Sequence, residues 1–180
     1  MAVQVALFRG INVGKAKRIA MAELKAMFED LGFTDVRTLL NSGNVVFEAV
    51  RSSPTANAKR IAAALEERAG FAANTLVLGA STLRAAVDGN PFADRIDDPS
   101  RMLVGFFLDG GQRAPFESLR REFPHLAFAV GTHACYLWCP DGLLASPIGE
   151  VLVGAGFRDR VTTRNWATTL KLHAMVDANR

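Results

Sequence analysis

The sequence has few of the residues that hold a fold together covalently or through a metal ion. Only two of its 180 residues are cysteines, and three are histidines. On one predicted strand, Cys135 and Cys139 lie about 13 Å apart, which is too far for a disulfide between them. No Cys or His pair has the spacing of a zinc site. We therefore predict a reduced, cytoplasmic protein without a metal site.

Long apolar runs are missing as well. No segment approaches the roughly 18 consecutive apolar residues that a membrane helix needs. The first ten residues, MAVQVALFRG, contain no basic leader before Arg9, and this pattern predicts a first strand rather than a signal peptide. We expect no association with a membrane.

The familiar catalytic motifs are absent. The chain contains no G-x-S-x-G, H-E-x-x-H or C-x-x-C pattern, and no two carboxylates stand out as a general acid and base. The sequence therefore identifies no catalytic residue, predicts no cofactor, and leaves open whether the protein is an enzyme.

Ordinary globular composition is present instead. Apolar residues make up 49% of the chain and charged residues 22%, which excludes a disordered or collagen-like chain. The net charge of +3 is mild, but residues 1–22 carry four cations and no acid. Residues 158–180 are also mainly basic. The two ends would form a positive surface if they met.

Hydrophobic periodicity and turn residues predict the same order of elements twice. In the first half we expect strands at 3–8, 36–40, 44–47 and 75–78, with helices at 21–31 and from Pro54 to about Gly70. Ser53 is a predicted N-cap before a proline at the first helical position. After a linking helix at 81–87, the second half predicts strands at 102–108, 126–130, 134–138 and 160–163. Helices opened by Pro115 and Pro147 lie between them.

The order β-α-β-β-α-β is that of the ferredoxin-like motif. We therefore predict an α+β fold of two tandem ferredoxin-like (βαββαβ) subdomains with antiparallel sheets, plus a C-terminal helix. The polar, turn-rich stretch 89–100 marks the boundary. The predicted subdomains are 1–88 and 89–180.

This topology has a consequence for function. If the first and third strands are central, the first and second strands run in the same direction and end at one edge of the sheet. The loop 9–18 and the turn 41–44 should then be neighbours, next to the N-terminus of the first helix. Glycine-containing loops and helix N-termini are suited to holding anions.

Polar residues at this edge, with two from the last strand–helix junction, form the candidate site. The predicted ligand-binding residues are Arg9, Asn12, Gly14, Lys15, Lys17, Ser42, Asn44, Arg164 and Asn165. The spacing G-x-x-x-G-K is one residue short of a P-loop, and Ala16 stands where Ser or Thr would ligate magnesium. The alternatives are structural: a turn with solvated lysines, ordinary hairpin residues, and Asn165 as an N-cap.

Four stretches resemble one known family. RGINVG (9–14), MAELKAMFEDLGFTDVRT (21–38), NSGNVVF (41–47) and RNWATTLKL (164–172) are similar to the bacterial family known as domain of unknown function 1697. Lys15 and Leu39 depart from the family pattern, which has glycine and tyrosine there. The resemblance implies two ferredoxin-like subdomains and no established activity, cofactor or substrate.

Three functional hypotheses follow. The first is a protein that binds a small anionic ligand, phosphorylated or nucleotide-like, at the loop 9–18, the turn 41–44 and Arg164. The second is an interaction or oligomerisation module, for instance a homodimer, without catalysis. The third is nucleic-acid binding through the basic ends, with Tyr136 and Trp138 on the same side of a strand as a possible stacking pair. No RNA-recognition signature accompanies that pair.

Overall fold

The computed structural model describes residues 1–50, 52–108 and 112–178. Within these ranges it is a mixed α+β structure with two four-stranded antiparallel sheets and six α-helices. The chain divides into two compact units, one comprising Met1–Leu83 with the chain from Leu172, the other Arg84–Lys171.

The first unit contains one sheet and the helices that follow its strands. Its elements are β1 (Ala2–Arg9), α1 (Met21–Asp30), β2 (Thr34–Leu39), β3 (Asn44–Ala49), α2 (Pro54–Ala69) and β4 (Asn74–Gly79), and α3 (Ala80–Asp88) follows. The strand order is β2-β3-β1-β4, and all neighbours are antiparallel.

The second unit repeats this order. Its elements are β5 (Met102–Phe107), α4 (Ala114–Glu122), β6 (Phe128–Val130), β7 (Ala134–Trp138), α5 (Pro147–Val153), β8 (Val161–Asn165) and the start of α6 (Trp166–Asp177). The strand order β6-β7-β5-β8 is equivalent to that of the first sheet. This two-sheet layout fits repeated ferredoxin-like units.

The predicted subdomains, 1–88 and 89–180, differ from the compact units mainly at the C-terminus. The chain from Leu172 belongs to the first unit, and both Leu172 and Val176 are buried. An Nη of Arg37 on β2 donates a hydrogen bond to the carbonyl of Met175 at 3.0 Å. Burial and this bond account for the difference, because the sequence of α6 does not show which unit the residues from Leu172 join.

The core of the first unit lies between its sheet and its helices. Alternate residues of β1, Ala6 and Phe8, join residues of β3 and α1 in one buried cluster. The ring centroids of Phe28 and Phe47 lie 5.1 Å apart in an edge-to-face arrangement. Such aromatic pairs stabilise a core beyond the area that they bury.

A buried polar network joins the start of β1 to the start of α2. The Asn57 side chain donates to Gln4 Oε1 at 2.8 Å. Gln4 in turn donates to the Ser52 carbonyl at 2.9 Å, and the Ser52 hydroxyl donates to Asn57 Oδ1 at 2.9 Å. Each buried amide therefore has partners, which avoids the cost of burying an unsatisfied polar group.

The predicted cap at Ser53 is confirmed, and Ser146 caps the helix that starts at Pro147 in the same way. Ser53 Oγ accepts a hydrogen bond from the amide of Ala56 at 3.2 Å, and Ser146 Oγ accepts one from Gly149 at 3.3 Å. Helix α2 ends at Gly70, which has the left-handed conformation (φ 72°) that favours glycine at this position.

Candidate functional site

The loop after β1 and the turn between β2 and β3 are neighbours, as the topology predicts. Because β1 and β2 both pair antiparallel with β3, they end at the same edge of the sheet. The amide of Phe8 donates to the Gly43 carbonyl at 2.9 Å, and Asn12 Nδ2 donates to the Asn41 carbonyl at 2.9 Å. We call residues 9–19 and 41–44 together the basic rim.

The Asn12 side chain closes the loop on itself. Its Oδ1 accepts from the Ile19 amide and its Nδ2 donates to the Ile19 carbonyl, both at 2.9 Å. Its backbone amide donates to the Lys17 carbonyl at 2.9 Å. With the bond to Asn41, both amide hydrogens of Asn12 are engaged by the backbone. Asn12 therefore shapes the rim.

Apolar anchors fix the rim to the core. Ile11 and Ile19 are both buried in the core of the first unit. Gly43 has φ 75°, and a Cβ placed on it would lie 2.5 Å from Ile11 Cδ1 and 2.9 Å from Phe8 Cβ. The turn approaches the loop so closely that only glycine fits at this position.

The rim contains unusual backbone conformations. Among the described residues other than glycine, positive φ values occur at Asn12 (56°), Lys17 (53°), Asp35 (46°) and Leu40 (57°). Asn12 and Lys17 lie in the rim, and Leu40 directly precedes its turn. For an L-residue other than Asn or Asp this conformation costs about 1–2 kcal/mol, and such strain is concentrated at functional sites.

Three of the four cations of the rim are exposed. Lys15, Lys17 and Arg18 all have exposed side chains. Lys17 Nζ donates to the Ala72 carbonyl at 2.9 Å and Arg18 Nη1 donates to the Gly14 carbonyl at 3.0 Å, so two of the three cations are held in place. Their charge is not neutralised by these carbonyls, which supports a positive local potential.

A cavity of about 490 Å³ opens beside the rim. It is lined by Asn12, Arg18, Ile19, Ala20, Met21, Glu23 and Asn41. Ala20 is the N-cap residue of α1 and has no side-chain hydrogen bond to the first turn. The amide hydrogens of that turn therefore lack a side-chain cap, and the positive end of the helix lies at the cavity.

The other predicted ligand-binding residues of the rim differ in burial and in their hydrogen bonds. Arg9 is half-buried at the end of β1, opposite Asn74 of β4. Gly14 is exposed with φ 68°. Asn44 is fully buried, and its Nδ2 donates to the Leu39 carbonyl at 2.8 Å and to Ser42 Oγ at 2.9 Å. Asn44 thus stabilises the turn, as expected if these are ordinary hairpin residues.

Arg164 and Asn165 lie in the second unit. Arg164 is only 9% exposed, and its Nη1 donates to the Thr163 carbonyl at 2.7 Å and to Thr162 Oγ1 at 3.2 Å. Burial lowers the pKa of Arg164 to about 10, which leaves it charged at neutral pH. Asn165 Oδ1 accepts from the Thr168 amide at 2.9 Å, which confirms its role as a cap. Their place in a shared site stays a prediction.

Glu23 and the uncapped end of α1 are not among the predicted site features. The sequence carries a signal for both, because Ala20 stands just before the predicted helix 21–31 without a side chain that can cap. Glu23 lies three residues later, on the first turn of the helix. Arg18 is one of the four cations of residues 1–22 but is not among the predicted ligand-binding residues.

Cys135 and Tyr136 of β7 are buried in the second unit. Cys135 is buried, and burial raises the pKa of its thiol to about 12, so the thiol stays protonated and unreactive at neutral pH. Tyr136 is also buried and donates to the Ala86 carbonyl at 2.7 Å. In the described ranges, no three His, Cys, Asp or Glu residues could hold a metal ion together. No helix in these ranges has the length and apolar character required to span a bilayer.

Comparison with known proteins gives a family and a fold. No protein of curated function is a significant match. A solved structure, that of the conserved bacterial protein SP0830 from Streptococcus pneumoniae, is similar with a TM-score of 0.77 at 21% identity, over 97% of this chain and 98% of that chain. At this identity the likeness shows the fold alone. The model of the family described as "Protein of unknown function (DUF1697)" matches residues 1–136, and the chain therefore belongs to that family.

Proposed function

We propose that the protein binds a small anionic ligand, phosphorylated or nucleotide-like, in the cavity beside the basic rim. The observation that carries this proposal is the uncapped N-terminus of α1 opening into a cavity of about 490 Å³ that Arg18 also lines. We further propose that the two units are ferredoxin-like subdomains and that the protein is a cytoplasmic bacterial one. The proposal makes no claim about catalysis.

The physical basis is the combination of backbone and side-chain donors. Amide hydrogens of a first helical turn point along the helix axis and bind anions together with the helix dipole. A guanidinium adds a full charge and pairs with phosphate in a bidentate geometry. The bonds of Asn12 to Ile19 and Asn41 hold the loop in shape before any ligand arrives. Preorganisation of this kind reduces the entropic cost of binding.

Titration calorimetry with glucose 6-phosphate and with AMP at low ionic strength tests the proposal. We expect millimolar or tighter binding to the wild-type protein. Arg18→Ala should weaken it about tenfold, because one charge-assisted bond is lost. Lys59→Ala is the matched control: it removes one exposed cation from α2 that does not line the cavity, and should leave affinity within about twofold. Absence of heat with both ligands, or equal affinity in the Arg18 variant, would overturn the proposal.

One observation favours an interaction module as a second candidate. Val13 in the rim is 72% exposed and Leu40 beside it is 53% exposed. Leu40 also has a strained, left-handed backbone, and a large exposed apolar side chain at such a position is typical of contact surfaces. Light scattering tests this candidate, which predicts a dimer that a Leu40→Asn variant dissociates. Nucleic-acid binding stays a prediction, and filter binding at low salt would detect it.

A further inference from the structure

Two opposite charges line the same cavity without neutralising each other. Arg18 and Glu23 both contribute to its wall. In residues 1–50, 52–108 and 112–178, neither forms an ion pair within 4.0 Å with the other or with a third residue. The guanidinium of Arg18 donates instead to the Gly14 carbonyl at 3.0 Å.

Both charged side chains stand on fixed backbone. Arg18 precedes Ile19, whose backbone N–H and carbonyl both hydrogen-bond to the side-chain amide of Asn12. Glu23 lies on α1, whose buried side chains Leu24 and Met27 pack into the core of the first unit. The cavity therefore presents a positive and a negative side chain that do not pair with each other in the structure.

A purely anionic ligand does not use this arrangement. The Glu23 carboxylate would repel a second negative group in the cavity, and its own charge would stay uncompensated. A ligand with one anionic and one cationic group would complement Arg18 and Glu23 at the same time. The anionic group would bind at Arg18 and the first turn of α1, and the cationic group at Glu23.

Resting on the proposed function, we infer that the ligand class is zwitterionic: a phosphorylated small molecule that also carries a protonated amine. Glu23 is then a specificity-determining residue, because it selects between amino and hydroxyl forms of the same phosphorylated compound. Such selection by a difference in charge pairing is a common basis of specificity.

Glucosamine 6-phosphate and glucose 6-phosphate form a matched pair of probes, since they differ only in an amino or a hydroxyl group at one carbon. We would measure both affinities by calorimetry at pH 6.5, below the range in which an amine of this kind loses its proton. The wild-type protein should prefer the amino sugar by about fivefold or more. Glu23→Gln should abolish the preference and bind glucose 6-phosphate more tightly than wild type does.

Glu66→Gln is the matched control, because it removes an exposed carboxylate of α2 that does not line the cavity. It should keep the wild-type preference. Equal wild-type affinities for the two sugars would overturn the zwitterion inference and leave the anion site intact. A preference that persists in the Glu23 variant would overturn the role of Glu23. No binding of either sugar would overturn the zwitterion inference, and if AMP also failed to bind, the proposed anion site would be overturned as well.

Discussion

Replacing Gly43 by alanine tests whether the basic rim depends on close contact between its two segments. Gly43 lies in the turn, and its backbone carbonyl accepts the amide of Phe8. It has φ 75°, and an added methyl group would meet Ile11 and Phe8 at once. The substitution therefore combines backbone strain with a steric clash at the base of the rim.

Backbone strain and the steric clash each lower the free energy of unfolding, and their sizes can be worked out separately. A left-handed alanine costs about 1 kcal/mol relative to glycine. The new Cβ would lie 2.5 Å from Ile11 Cδ1, the flexible end of a side chain, but also 2.9 Å from Phe8 Cβ, which moves only with β1. Overpacking of this kind costs about 1–3 kcal/mol, so the total loss of unfolding free energy should be about 2–4 kcal/mol.

Gly32 provides the control for backbone strain alone. It has φ 81°, but a Cβ on it would meet no atom within 4 Å. Gly32→Ala should therefore cost only about 1 kcal/mol. The difference between the two variants isolates the contact between turn and loop.

Urea unfolding followed by far-ultraviolet circular dichroism measures both variants. Tryptophan fluorescence reports the second unit separately, because Trp138 and Trp166 both lie in residues 84–171. We expect Gly43→Ala to lower the dichroism-detected midpoint and to leave the fluorescence transition less affected. If Gly43→Ala destabilised the protein no more than Gly32→Ala does, the close packing of the rim would be refuted.

Two further predictions concern buried groups. Asn57→Ala should lower the free energy of unfolding by about 2–3 kcal/mol, because Gln4 Oε1 and the Ser52 hydroxyl lose a buried partner; a loss in urea titrations below about 1 kcal/mol would contradict the network. Burial raises the pKa of Cys135 from 9.0, and that of Tyr136 from 10.0, to about 12. The unfolded chain therefore releases these protons first, and the second unit should lose stability as pH rises from about 9 towards 12. A fluorescence-detected urea midpoint that is equal at pH 8 and pH 10.5 would count against this.

Much of the fold is predictable because its signals are local. Three residues, Ser53, Pro54 and Gly70, predict where α2 starts and ends, and the structure confirms both ends. Strand β6 is shorter than predicted and begins at Phe128, because the Leu126 amide turns back to the Phe123 carbonyl. The association of the chain from Leu172 with the first unit depends on contacts far apart in sequence, which local patterns do not report.

The location of the candidate site is predictable for a different reason. Antiparallel pairing of β1 and β2 with β3 requires their ends to meet, whatever side chains they carry. The role of each side chain is not determined in this way. The side chain of an asparagine that follows a strand can hydrogen-bond either to a ligand or to nearby backbone. The sequence does not distinguish the two, whereas the structure shows that Asn12 donates to the carbonyls of Ile19 and Asn41.

Three local features at the rim lower the stability of the fold, and together they support its interpretation as a binding site. A serine at position 20 would cap α1 and stabilise it by about 1 kcal/mol, yet the chain has alanine. Glycine at position 40 would relieve a left-handed backbone, yet the chain has an exposed leucine. Arg18 and Glu23 line one cavity, yet they do not pair with each other. A connection selected only for stability would not combine all three, whereas a preorganised ligand site requires open donors and unpaired charges.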